Sequence, residues 1–334
     1  MEPALTGAPV ADAIVLKGLT KTYGDTVAVR DLDLVVPQGA LYGVIGPNGA
    51  GKTTTIRMIL SIQMPDRGEL SVLGHRSAME AKDKIGYLPE ERGLYKRMRV
   101  GHFLAYMARL KGDDGQDLDA RVKRWLDRVE LGAVVHKRCE ELSKGMQQKV
   151  QFLTAVIHRP SLIILDEPFS GLDPVNQRLL RDLVSEEHAR GATVLFSTHV
   201  MVYAEQLCDH IVMIHRGLKV LDDTLGNIRS RFAPRSILFE PLDPAAHASA
   251  LASIPGIQGV QQDGETWELM LGPAASPGAV MQAVAAAMPP SRLELRRPTL
   301  EDIFIDIVSA ETADAGSLRA AVREHGAANA GGRT

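Results

Sequence analysis

The sequence predicts an α/β chain of two domains, in which a helix-wrapped sheet with an antiparallel β segment and a helical segment is followed by a small α+β domain. Three observations predict it. Short apolar strands alternate with helical patterns between residues 13 and 228, as in a largely parallel sheet covered by helices. Within that stretch, residues from about 90 to 160 keep helical spacing alone. From about 234 the composition shifts to Ala and Pro, with Pro234, Pro241, Pro244, Pro255, Pro273 and Pro277 between short elements. The 334 residues agree, since domains of ~150 residues give about two.

Taken in order, Ile14 to Leu16 and then Leu32, Leu34 and Val36 at period two read as half-buried antiparallel strands. Residues 41–45 form an apolar run that ends in a glycine-rich turn, a buried strand feeding a helix expected over 52–62. Phe103, Leu104, Met107 and Leu110 share one helical face, and further helices are expected over 118–129 and 144–157. Strand and helix then alternate through 162–165, 174–189, 193–196 and 211–214. The second domain, 229–311, reads strand 237–239, helix 245–254, strand 257–261, strand 267–271, helix 279–287, strand 293–296 and helix 300–308. Asp263-Gly264 supplies the hairpin turn. That order is the split βαββαβ of a ferredoxin-like layout. Residues 1–12 are expected to be a flexible start, and 312–334 a disordered tail with little to bury.

Composition narrows the function. Hydrophobic residues at 45% and charged residues at 24% exclude a chain disordered throughout. With 38 basic and 41 acidic residues the net charge is −3, so no specific nucleic-acid binding is expected. Cys139 and Cys208 are too few and too far apart for a disulfide framework or a zinc site, which points to a reducing compartment. Glu2 stands where an export signal carries positive charge, and no run approaches the ~20 apolar residues of a membrane span.

Two motifs carry chemistry. Gly46-Pro47-Asn48-Gly49-Ala50-Gly51-Lys52-Thr53, followed by Thr54, fits G-x-x-x-x-G-K-[ST] between a predicted strand and helix. Its glycines let backbone N–H groups close around phosphates, while the helix aims its positive end at them. Lys52 is placed to reach the β- and γ-phosphates of ATP or GTP, and the Thr53 hydroxyl to bind Mg²⁺. Leu162-Ile163-Ile164-Leu165-Asp166-Glu167 puts two acids at the carboxyl end of a buried strand. Asp166 would hold Mg²⁺, and Glu167 would orient or deprotonate the attacking water.

With Leu142-Ser143-Lys144-Gly145-Met146-Gln147 between these motifs, residues 13–225 resemble the ATP-binding cassette (ABC) of ABC transporters. The segment is similar to that family's LSGGQ signature, departing from it at Lys144 and Met146. The resemblance implies a P-loop NTPase fold of ABC type, with a mixed sheet core, an antiparallel β subdomain and a helical subdomain. It implies that Tyr23 stacks on adenine, that Ser143 to Gln147 close on the γ-phosphate of a partner cassette, and that Asp173 communicates across the dimer. His199 matches the histidine that senses the γ-phosphate. Glu90 stands where the family usually has Gln and would approach Mg²⁺ or its water. Also implied are ATP hydrolysis with Mg²⁺, dimerisation with itself or a homologous cassette, and a separately encoded membrane permease on the cytoplasmic side. LPEERGLYKRM, LSKGMQQK and Leu300 to Phe304 resemble the bacterial exporter branch with a small C-terminal domain, of sodium, drug and antibiotic efflux type. Two rivals are a soluble ABC ATPase acting on ribosomes, DNA or assembly factors, and a dead scaffold. The first lacks its double cassette or insertions, and the second is at odds with Lys52, Asp166, Glu167 and His199 all being present.

Overall fold

The computed structural model describes residues 11–91, 93–232, 236–243 and 248–313. Its contacts divide the chain into two compact units, one ending at Leu225 and the other beginning at Gly226. The expected flexible start and tail fall largely outside the described residues.

In the first unit, β1 (Asp12–Tyr23) and β2 (Thr26–Pro37) form a hairpin. Then come β3 (Leu41–Ile45) and α1 (Lys52–Ile59), which stops short of the expected end. Ser61 takes a left-handed φ of 56°, and the N–H groups of Ile62 and Gln63 turn back to Arg57 O. That closure satisfies the helix's last carbonyls. The chain continues through β4 (Arg67–Val72), β5 (Ile85–Leu88), α2 (Val100–Leu110), α3 (Leu118–Arg128), α4 (Lys144–Val156) and β6 (Leu162–Asp166). It ends with α5 (Pro174–Ala189), β7 (Thr193–Thr198), α6 (Met201–Leu207), β8 (His210–His215) and β9 (Leu218–Thr224).

Two sheets result. An antiparallel one has the order β2-β1-β4, and the larger has the order β5-β6-β7-β3-β8-β9, parallel apart from its antiparallel edge β9. Every residue of β3, β6 and β7 is buried, as their unbroken apolar runs require of strands covered on both faces. Ile14, Leu16, Leu34, Ile56, Ile164 and Val212 join both sheets in one apolar core. The carboxyl ends of β3, β6 and β7 therefore share one edge, where α/β sheets bind ligands.

The second unit opens in α7 (Leu225–Arg231) and contains β10 (Ser236–Pro241), β11 (Ile257–Asp263), β12 (Thr266–Leu271), α8 (Pro277–Ala287), β13 (Pro290–Arg296) and α9 (Leu300–Ala313). Its antiparallel sheet has the order β11-β12-β10-β13, the ferredoxin-like order. Ile237, Phe239, Leu251, Leu269, Val280 and Val284 form its core. The helix expected over 245–254 is described only as a 3₁₀ segment, Ala248–Ser253, with 244–247 outside the described residues.

Candidate active site

The turn from β3 into α1 has the backbone that its glycines permit. Gly46, Gly49 and Gly51 have φ of 153°, 77° and 112°. A Cβ on Gly46 would lie 2.1 Å from Ile214 O, and one on Gly51 2.4 Å from Ala28 O, so neither position admits a side chain. Lys52 is buried, and its ammonium donates to Gly46 O at 2.8 Å and Pro47 O at 3.1 Å. Burial holds its pKa below the ordinary lysine value against the opposing pull of Glu167, Asp166 and Glu90.

The pairing of β6 with β7 assembles the acids. Thr53 Oγ1 donates to Asp166 Oδ1 at 3.4 Å, and Ser197 Oγ donates to the same oxygen. Asp166 Oδ2 is buried without a partner among the described residues. Burial pushes the Asp166 carboxyl above its usual range, and the Ser197 and Thr53 hydrogen bonds offset this only in part. An oxygen left dry costs about 1–3 kcal/mol, so the pair Thr53 and Asp166 fits a hard divalent cation that takes oxygen ligands.

Glu167 sits at a left-handed φ of 50°, in the strained class of backbone common at functional sites. Its N–H donates to Ser197 O at 3.1 Å, which fixes the turn. The carboxylate accepts from His199 N–H at 2.9 Å, His199 Nδ1 at 2.8 Å and Thr198 Oγ1 at 3.2 Å. Lys52 Nζ lies 3.8 Å from Glu167 Oε1. The sequence assigned Glu167 and His199 separate tasks, and the fold joins them by a direct hydrogen bond.

Tyr23, Asn48 to Thr54, Glu90 and Glu167 line one cleft of about 410 Å³. Tyr23 is 44% exposed, and its hydroxyl bonds Gln63 Oε1. The signature residues do not line this cleft. Ser143 caps α4, its Oγ accepting from Met146 N–H at 3.3 Å. Gln147 turns its amide back to Leu142 O at 3.0 Å, while Ser143 and Lys144 are exposed. Asp173 caps α5, accepting from the N–H groups of Val175 and Asn176, both at 3.0 Å, and these bonds hold its carboxyl below the usual range. Sequence reasoning missed Gln148 and Gln151, two buried amides on α4 that bond loop carbonyls beside the cleft.

A glycine turn at the carboxyl end of β3, with acids delivered by β6 on the far side of β7, defines the class as a P-loop nucleotide-binding protein. Residues 29–170 match the ABC transporter family, and 224–308 match the C-terminal domain of DrrA1-3-like ATP-binding proteins. An uncharacterized ABC transporter ATP-binding protein, YhaQ of Bacillus subtilis, is 39% identical over 89% of this chain and 99% of its own. The daunorubicin resistance ATP-binding protein DrrA3 of Streptomyces coeruleorubidus is 30% identical over 88% and 95%. A solved ATP-binding subunit of an ABC transporter superposes with a TM-score of 0.62 at 34% identity, covering 66% of this chain and 93% of that one. The chain belongs to the ATP-binding proteins of ABC transporters.

Proposed function

We propose that this subunit hydrolyses Mg-ATP and that the hydrolysis powers export through a separately encoded permease. The observation that carries the hydrolysis reading is the Glu167 carboxylate, held by His199 and Thr198 beside Lys52. Lys52 exchanges its loop carbonyls for the β- and γ-phosphate oxygens, which answer its charge better. Thr53 and Asp166 are the residues that would hold Mg²⁺, with Glu90 at the cleft wall. Mg²⁺, when bound, neutralises phosphate charge. His199 keeps Glu167 oriented, and Glu167 accepts a proton as the water oxygen bonds the γ-phosphorus and the bond to the ADP oxygen breaks. Tyr23 stacks on the base.

The exposed amino end of α4 supports a two-chain site, because Ser143 and Lys144 are exposed outside their own chain's cleft, at the helix end whose first-turn N–H groups draw anions. A second cassette, a copy of this chain or a homologue, supplies the missing half, with Asp173 at the contact. Among the described residues no helix is long and apolar enough to cross a membrane. On this reading a separately encoded permease, the usual partner of the family, holds the subunit at the cytoplasmic face. Exposed Tyr95, Lys96, Arg97, Arg99 and His102 border a groove just past Glu90 that suits its docking. Export rests on the likeness over nearly the whole chain to a protein named for daunorubicin resistance.

The experiment compares wild type with Glu167→Gln. The variant is expected to bind Mg-ATP with unchanged affinity while phosphate release falls by about 10²–10³-fold. Turnover at the wild-type rate sinks the base assignment. Tagged Glu167→Gln recovered with Mg-ATP from solubilised host membranes should bring a multi-span protein in near-equal amount. Recovery of ribosomes or DNA-repair factors instead would favour the soluble rival.

A further inference from the structure

Helix α4 is fastened to the large sheet at two levels. Gly86 in β5 lets the helix backbone lie against the strand, since a Cβ there would sit 1.9 Å from Ala155 O. About one turn nearer the amino end, Gln151 is 3% exposed and donates Nε2 to Glu91 O at 2.9 Å and Pro89 O at 3.4 Å. Those carbonyls belong to the residues before and after Glu90, so one amide holds the backbone on both sides of a residue that lines the nucleotide cleft. Gln148 does the same for the loop after Glu167, donating to Pro168 O at 3.2 Å. The buried Gln151 Oε1 has no partner among the described residues. An apolar side chain of the same length would avoid that unsatisfied oxygen, so the amide nitrogen has to be what the position needs. Glu90 is also near enough to Lys52 to favour its charged form.

We propose that Gln151 is a positioning residue for ATP hydrolysis: it clamps the backbone around Glu90 and ties the placement of that carboxylate to α4, the helix that begins at the signature. The inference rests on the hydrolysis reading above. A displacement at the Ser143 end of α4 then reaches both loops that border the cleft, through Gln148 to the loop after Glu167 and through Gln151 to Glu90.

The test uses the full chain. Gln151→Met keeps the length of the side chain and removes the donor, and it is expected to lower kcat about tenfold while the KM for Mg-ATP moves less than about twofold. In a Glu90→Ala background the same substitution is expected to change kcat by less than about twofold, because its target is gone. Gln151→Glu discriminates further: ionised, it repels the two carbonyls, and protonated, it donates to one of them. Its rate relative to wild type should therefore rise as pH falls from 8 to 6. An unchanged kcat or an equal loss in both backgrounds overturns the proposal. A wild type that does not hydrolyse ATP overturns the function reading instead. In that event cleavage after Glu90 or Glu91 by a Glu-specific protease decides without ATP, since a clamped loop is cut faster in Gln151→Met and an unclamped one at the same rate.

Discussion

Asp166 and Asp222 lie in the same sheet and are treated oppositely. Asp222, in β9, accepts from Tyr42 at 2.5 Å, His210 at 3.0 Å and Lys219 at 2.7 Å, with the His210 ring stacked on Tyr42 at 4.4 Å. Burial raises its carboxyl, but the His210, Lys219 and Tyr42 contacts outweigh that and hold it below the usual range. Asp166 has two hydroxyl donors on one oxygen and, among the described residues, nothing on the other, and its carboxyl is pushed up. Asp166 is fully buried and the Asp222 side chain is 23% exposed, yet burial raises both carboxyls, so burial alone does not set their opposite outcomes. What separates them is whether the chain itself completes the hydrogen bonding. At Asp222 it does, and the group is structural. At Asp166 it leaves one oxygen for something else.

That contrast can be broken by substitution. The largest effect is expected at the phosphate end: Lys52→Ala should weaken Mg-ATP binding about 10–100-fold, since phosphate charge loses a charge-assisted donor. Calorimetric titration measures it, and unchanged affinity removes Lys52 from the site. Next, Asp222→Asn should lower unfolding stability by about 1–3 kcal/mol, because Tyr42, His210 and Lys219 lose a common acceptor. Asp166→Asn should do the reverse in the absence of Mg²⁺, raising stability by about 0.5–2 kcal/mol as a strained charge disappears. Urea unfolding of the two variants at pH 7 checks the pair, and the same sign in both ends the contrast.

The smallest effect is in pH. The folded pKa of Asp222 is depressed, so its contribution is whole above the unfolded value of ~3.9 and is lost as pH falls through the lower folded value. The folded pKa of Asp166 is raised, so its penalty is whole above that raised value and fades as pH falls toward ~3.9. The stability gap between Asp166→Asn and wild type should thus narrow earlier on acidification than the gap for Asp222→Asn.

Much of the site was legible because its parts are local. A strand, a glycine turn and a helix within residues 41–59 need no distant contact to be read. The central strands announced themselves by unbroken apolar runs. β4 and β9 did not, since most of their residues are exposed or half-buried edge positions such as Arg67, Glu69 and Asp222. The bond between Glu167 and His199 spans 32 residues and becomes visible only once β6 pairs with β7. Gln148 and Gln151 were hidden for a different reason. In α4, Gln148, Lys149, Gln151 and Phe152 are all buried, so polar residues that look like a solvated face are covered on every side. The readable sign was a helix with too many amides and no clean apolar stripe.

The left-handed backbone at Glu167 reaches beyond chemistry. A residue other than glycine in that conformation costs about 1–2 kcal/mol, and Asp166 beside it carries a buried charge that its own chain answers only in part. Both positions are weak points that the rest of the fold has to outlast. A variant library selected for heat resistance alone, without any assay of turnover, should accumulate changes at these two positions. Two residues that weaken the fold would then mark its engine.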